Sequence, residues 1–258
     1  MSSSFDRGRS LPAAALLASL LAGVPAVAQP RSGYQDAGPQ VRAMQDDDSA
    51  NPAFLWVEQG RSLWNTAPAS SPACASCHGD PASLRGVAAQ YPKFDPVRGR
   101  PVTLSQRINL CRVDHQASVP LAADSEALLG LSALVGLQSR GMSLAVRTDG
   151  PAAPFAEAGR ALFNTRMGQL NLSCAECHDG LAGHRLGGST IPQGHPNGYP
   201  IYRLEWQAMG SFARRIRNCL TGVRADPLPP DSPELTALEL YLGGRAGGLA
   251  VETPAVRP

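Results

Sequence analysis

The 258-residue sequence predicts an all-α protein of two tandem, duplicated domains, and three observations predict it. One cysteine pattern occurs twice, as Cys74-Ala75-Ser76-Cys77-His78 and Cys174-Ala175-Glu176-Cys177-His178, with 100 residues between equivalent positions. The likeness extends past these segments: Gly60-Arg61-Ser62-Leu63-Trp64-Asn65-Thr66 matches Gly159-Arg160-Ala161-Leu162-Phe163-Asn164-Thr165, and Arg107-Ile108-Asn109-Leu110-Cys111 matches Arg215-Ile216-Arg217-Asn218-Cys219. A closing stripe repeats as well, with Leu128, Leu131, Val135, Gly136 and Gly141 equivalent to Leu235, Leu238, Leu242, Gly243 and Gly248 at one offset of 107. Self-similarity on this scale marks a repeated structural unit. The helical spacing of its apolar residues makes that unit helical.

Residues 1–28 have the pattern of an export signal. Arg7 and Arg9 form a basic start, Leu11 to Val24 is an apolar run too short to cross a membrane, and Ala26-Val27-Ala28 offers a small-x-small cleavage site before Gln29. No Arg-Arg pair is present there, which favours the general secretory route and a periplasmic destination. Residues 29–50 are expected to be an extended, polar and mobile arm.

The first domain is placed at 51–150. Its opening helix is expected to be capped by Asn51 with Pro52 at the first helical position, and Phe54, Val57, Arg61 and Trp64 follow at helical spacing. Gly60 and Gly159 lower helix propensity, which a close helix crossing offsets. Leu104, Ile108 and Cys111 fall at i, i+4, i+7, and Ser125 caps the last helix. The Pro/Ala stretch Pro151 to Pro154 is expected to link this unit to a second domain at 151–258. There Phe212, Ile216 and Cys219 repeat the spacing, Ser232 caps the final helix ahead of Pro233, and Pro254 to Pro258 is expected to be an irregular tail. A formal charge of +2 with no basic block gives no reason to expect nucleic acid, and no later run is apolar enough to span a membrane.

Cys-x-x-Cys alone also serves redox dithiols and zinc knuckles, but a histidine directly after the second cysteine marks c-type haem attachment. Two thiols add across the porphyrin vinyl groups, and the histidine falls under the iron as proximal ligand. Cys74, Cys77, Cys174 and Cys177 therefore hold two covalent haem c groups, and His78 and His178 ligate their irons. Helix, haem segment, loops and closing helix then describe a cytochrome c-like domain twice over. Haem also compensates an aromatic content of only 5%.

For the distal iron position, Cys111 and Cys219 are the only candidates at equivalent repeat positions. Met142, Met167, Met209 and His115 lack such partners, and His184 and His195 remain outside candidates. Arg107 and Arg215, one turn before each cysteine, favour the thiolate that iron binds. A Cys111–Cys219 disulfide, which export permits, is the competing assignment. Thiolate ligation lowers the haem potential relative to methionine.

The segment Arg214-Arg215-Ile216-Arg217-Asn218-Cys219-Leu220-Thr221-Gly222-Val223-Arg224-Ala225, with Ser232-Pro233-Glu234-Leu235 and Leu238-Glu239-Leu240-Tyr241-Leu242, resembles the SoxA family when taken with the paired haem sites. These are dihaem cytochrome subunits of bacterial thiosulfate oxidation, and the likeness runs from about Phe54 to the C-terminus. The resemblance implies an L-cysteine S-thiosulfotransferase that works with a monohaem partner, SoxX. It would couple thiosulfate to a cysteine of the SoxYZ carrier and pass two electrons through haem to a downstream cytochrome c. It also implies that Cys219 is both distal ligand and catalytic residue, able to carry a persulfide, with Arg215 attracting the dianion. Arg217 and Arg224 are further cations nearby, and the first haem, with Cys111 distal, would be structural. A plain dihaem electron carrier and a stand-alone thiosulfate dehydrogenase are the alternatives.

Overall fold

The computed structural model describes Met1 and residues 29–68 and 71–258. The export signal was read from residues outside those described. The arm is folded: α1 (Gly33–Asp36) and α2 (Pro39–Asp46) pack against later parts of the chain. Ser32 Oγ donates to Glu252, Asn197 Nδ2 donates to Ser32 Oγ at 3.2 Å, and the Val256 amide donates to Gln45 at 3.0 Å. A polar composition does not distinguish a solvated arm from one whose polar groups find protein partners, and here they find them.

In the first half α3 (Phe54–Asn65), α4 (Cys74–His78), the hairpin β1 (Lys93–Asp95) and β2 (Arg100–Val102), α5 (Leu104–Gln116) and α6 (Glu126–Leu137) follow in order. The second half repeats this order as α7 (Ala153–Asn164), α8 (Cys174–His178), a two-residue hairpin β3 (Arg185–Leu186) and β4 (Ser189–Thr190), then β5 (Ile201–Arg203), β6 (Ala208–Gly210), α9 (Phe212–Gly222) and α10 (Pro233–Arg245). Helices dominate, as expected, with these short strands as an addition.

Ser125 and Ser232 cap α6 and α10, accepting from Leu128 N at 3.3 Å and Leu235 N at 3.2 Å. The first helix starts later than expected: Asn51 is buried and accepts from Ala53 N at 3.0 Å, organising the turn before Phe54. Its amide group meanwhile donates to Pro254 O at 2.9 Å, so tertiary contact rather than the helix end claims it. Pro154 lies in the first turn of α7 rather than in a linker, because proline needs no amide partner there.

Each half buries its core where its first and last helices cross. Val57, Trp64, Leu131, Leu134 and Val135 fill the α3/α6 crossing, and Phe163, Leu235, Leu238 and Leu242 the α7/α10 crossing. Each such side chain contributes about 1.5–3 kcal/mol on leaving water. The crossings are close because glycine faces backbone: a Cβ on Gly60 would fall under 3.0 Å from the Gly130 carbonyl, and one on Gly159 under 3.0 Å from that of Ala237.

The tail expected to be irregular contains a strand, β7 (Ala255–Arg257), parallel to β5 and completing a sheet of order β6-β5-β7. Three residues flanked by proline are too few to show strand alternation in sequence, whereas β5 supplies the missing partners. A second ribbon joins the repeats: Gly141 N donates to Val251 O, Val251 N to Met142 O and Leu144 N to Leu249 O, all at 2.8 Å. Ser143 there opposes Ala250, its own counterpart at the offset of 107. The two halves therefore meet across a local two-fold axis.

Candidate haem site and its distal cysteine

The second haem segment is a single helical turn held by a capping box. Glu176 N donates to Ser173 Oγ at 3.3 Å while Ser173 N donates to Glu176 Oε2 at 2.8 Å, and Arg166 pairs with the same carboxylate. Cys174, Cys177 and His178 are thus presented on one short element. The His178 Nδ1–H donates to Pro192 O at 2.7 Å, since a carbonyl only accepts. In the neutral ring this leaves the lone pair on Nε2, the arrangement that orients a ligating imidazole. Gly194 lies against the same ring, where a Cβ would approach to 3.3 Å. Neither Pro192 nor Gly194 was legible as part of the site, because no motif marks a loop by its carbonyl.

Cys219, on α9, brings its thiol to the His178 imidazole. Burial pushes this thiol up, but the His178 contact and the positive charges of Arg215 and Arg203 outweigh it, and the group ends below its ordinary value. The equivalent Cys111 goes the other way, since burial dominates and Arg107 offsets it only in part. The largest difference is the histidine contact, which Cys219 has with His178 and Cys111 does not have with His78. The arginines differ as well: Arg107 Nη2 donates at 2.7 Å to Asp95, whose side chain is 3% exposed, whereas Arg215 has no carboxylate partner among the described residues.

No disulfide joins any of the six cysteines, and Cys111 neighbours Cys74 and Cys77 while Cys219 neighbours Cys174 and Cys177. The alternative Cys111–Cys219 disulfide is therefore not formed. At the first segment Trp64 packs on His78, ring centroids 5.6 Å apart, and donates to Gly79 O at 2.9 Å.

The other candidates lie elsewhere. Met142 packs on Gly86, Met209 is buried in the α3/α6 core, and Met167 packs against the second core. His115 and His184 are exposed. His195, which burial pushes down to about 4, follows Gly194 on the His178 side of the site. Arg217 points away from Cys219, into a cavity between the halves beside Asp124, and Arg224 is an exposed residue with φ 59° beyond the end of α9. At 100° per residue, position 217 lies off the helix face shared by 215 and 219.

Asp95 yields a first testable consequence. Burial raises its pKa, but the Val97 amide and Arg107 hold it below its ordinary value, so its stabilisation is present at neutral pH and lost as pH falls through the lowered pKa. Asp95→Asn should therefore cost about 2 kcal/mol at pH 7, discounted for the partial exposure of Arg107, and much less at pH 3. Urea denaturation at the two pH values measures it.

In chemical kind, two thiols on one turn, an imidazole with its lone pair directed outward, and a thiol inclined to ionise opposite it fit a haem iron and its covalent tethers. The comparisons agree. The model of the SoxA/TsdA cytochrome c domain matches residues 59–144 and 158–251. The L-cysteine S-thiosulfotransferase subunit SoxA of Pseudaminobacter salicylatoxidans is 39% identical over 229 residues, covering 88% of this chain and 80% of the relative. The same subunit of Paracoccus pantotrophus is 36% identical, covering 88% and 78%. A crystal structure of SoxXA from P. pantotrophus superposes with a TM-score of 0.86 at 36% identity, covering 89% of this chain and 87% of that one. Two Cys-x-x-Cys-His segments in duplicated helical units, a cysteine near the second of them flanked by arginine, and these likenesses along most of the chain together show a c-type cytochrome with covalently bound haem that belongs to the SoxA family.

Proposed function

We propose that this chain couples thiosulfate oxidatively to a cysteine thiol of a SoxYZ-type carrier, as an L-cysteine S-thiosulfotransferase paired with a SoxX-type monohaem subunit. Haem c sits at Cys74/Cys77 and Cys174/Cys177, with His78 and Cys111 as axial ligands of the first iron and His178 and Cys219 of the second. Residues 51–150 and 151–258 are the two haem domains, and the second is the reacting one. The protein works in the periplasm and hands electrons to a downstream cytochrome c.

The carrying observation is the Cys219 thiol, set against His178 beside arginines with its ionisation favoured. Arg215 draws the thiosulfate dianion to it; such charge-assisted contacts contribute about 1.5–3 kcal/mol each. Cys219 Sγ and the sulfane sulfur form an S–S bond, releasing two electrons. Bound haem supplies the acceptor for those electrons. The carrier thiolate then attacks the sulfane sulfur, its own S–S bond forms as the bond to Cys219 breaks, and the Cys219 thiolate leaves. His178 is held throughout by Pro192, and Cys219 in the resting protein also stores sulfur as a persulfide.

Intact-mass and peptide analysis of protein purified from periplasm without reductant tests this. Two haem increments, and thiosulfate or extra sulfur on the Cys219 peptide after exposure to thiosulfate, are expected. Bare Cys219 with turnover that needs no carrier would overturn it in favour of a thiosulfate dehydrogenase.

A further inference from the structure

The two halves repeat a hairpin and the start of a helix residue by residue, yet one position changes sign. In the first hairpin Lys93, Phe94 and Asp95 pair with Val102, Pro101 and Arg100. In the second, Ile201, Tyr202 and Arg203 pair with Gly210, Met209 and Ala208, every residue displaced by 108. Thr103 and Ser211 then cap the following helices, and Arg107 and Arg215 share the displacement. Arg203 therefore occupies the place of Asp95.

That place is next to the helix arginine. Asp95 Oδ2 reaches Arg107 Nη2 at 2.7 Å, forming a closed ion pair over the first site. In the second half the two equivalent backbone places both carry arginine, Arg203 in the hairpin and Arg215 in the helix, where the first half has an acid and a base. Arg203 is built in rather than solvated. Its side chain is 11% exposed, its guanidinium lies 5.2 Å from the Trp206 ring centre, and its Nε is buried with no hydrogen-bond partner among the described residues. A buried unpaired donor is rare in folded proteins and calls for an acceptor. Its one ionic contact among the described residues is to Glu205 at 2.7 Å, a side chain 65% exposed whose charge water largely screens. The charge of Arg203 reaches the surroundings of both Cys219 and Tyr199.

Building on the thiosulfate-coupling reading, we infer that Arg203 is a second anion-binding residue beside Cys219, clamping a divalent sulfur oxyanion together with Arg215, and that Asp95 closes the equivalent first site to anions. Two arginines, one from the hairpin and one from the helix, hold the anionic sulfonate end of the dianion and leave the sulfane sulfur toward Cys219. The first site, with its arginine already paired, repels the same ligand. The duplication thus produces one haem site that admits substrate and one that does not.

The test uses the holo-complex with its carrier and three variants at Arg203 and Glu205. With Arg203→Gln, the KM for thiosulfate should rise about tenfold, more than any fall in kcat, and labelling of the Cys219 peptide by radioactive thiosulfate should fall by about as much below saturation. Arg203→Lys should restore most of both. Glu205→Gln, an exposed change, should lower KM. Unchanged KM and labelling in Arg203→Gln with an intact haem spectrum would overturn the inference. If Arg203→Gln loses its haem spectrum, an unchanged KM in Glu205→Gln overturns it instead. Cys219→Ala separates the two levels: an active Cys219→Ala sinks the coupling reading itself, whereas an inactive one beside a normal Arg203→Gln sinks only the role of Arg203.

Discussion

Cys219→Ala is expected to lower carrier-dependent thiosulfate coupling by about a thousandfold or more, because deleting a nucleophile removes the bond-forming atom rather than a contact to it. The fold should tolerate the change. Cys219 lies on α9 beside buried Ile216 and Leu220, which keep that helix in the second core, and alanine is the best helix former. Haem attachment should also persist, since the thioether cysteines and His178 sit on a separate turn held by Ser173 and Pro192. The variant should therefore be red and folded with a changed distal ligand, and loss of a thiolate donor should raise the potential of that haem. Turnover, mass and redox titration of one preparation measure all three. The same substitution at Cys111 falls on the site whose arginine Asp95 already holds, and should cost coupling far less.

Gly159→Ala should produce the largest loss of stability, about 3 kcal/mol or more. Helix propensity predicts the opposite sign, because alanine is favoured over glycine by roughly 1 kcal/mol within a helix. Packing overrides it. The new Cβ would sit under 3.0 Å from the Ala237 carbonyl and 2.8 Å from Tyr241 Cβ. Backbone cannot yield as a flexible side chain does, so α7 and α10 must separate and open the contacts of Phe163 with Tyr241, whose rings lie 5.5 Å apart. At about 2–4 °C per kcal/mol for a chain of this size, the melting temperature should fall by roughly 6–12 °C. Gly222→Ala, at the end of α9 with open space around its would-be Cβ, should change stability by a few tenths of a kcal/mol. Calorimetry on the pair distinguishes a packing role from a propensity effect.

The features visible in the sequence were those carried by covalent spacing or by periodicity. The haem segments, the crossing glycines, the serine caps at 125 and 232, and the placing of Arg215 one turn before Cys219 all follow from local rules. Contacts between distant segments were not visible. Asn51 looked like a helix cap but bonds to Pro254, and the polar arm and the proline-rich tail became ordered by meeting each other and β5. Arg203 was accessible in principle. Carrying the repeat backward at the displacement of Arg107 and Arg215 sets it opposite Asp95, but a charge reversal breaks similarity at the position where the chemistry differs. Pro192 had no such signal, because its contribution is a backbone carbonyl.

The ribbon in which Ser143 faces Ala250 has the geometry of an isologous interface, the kind by which identical subunits associate in pairs. In a pair of identical subunits every substitution is made twice, and an aspartate that seals one site seals both. Within a single chain the same interface keeps the two copies in register while each remains free to diverge. Asymmetry between Asp95 and Arg203 is a freedom that covalent tethering alone grants, so one copy can specialise for chemistry while its twin keeps a scaffold's composition.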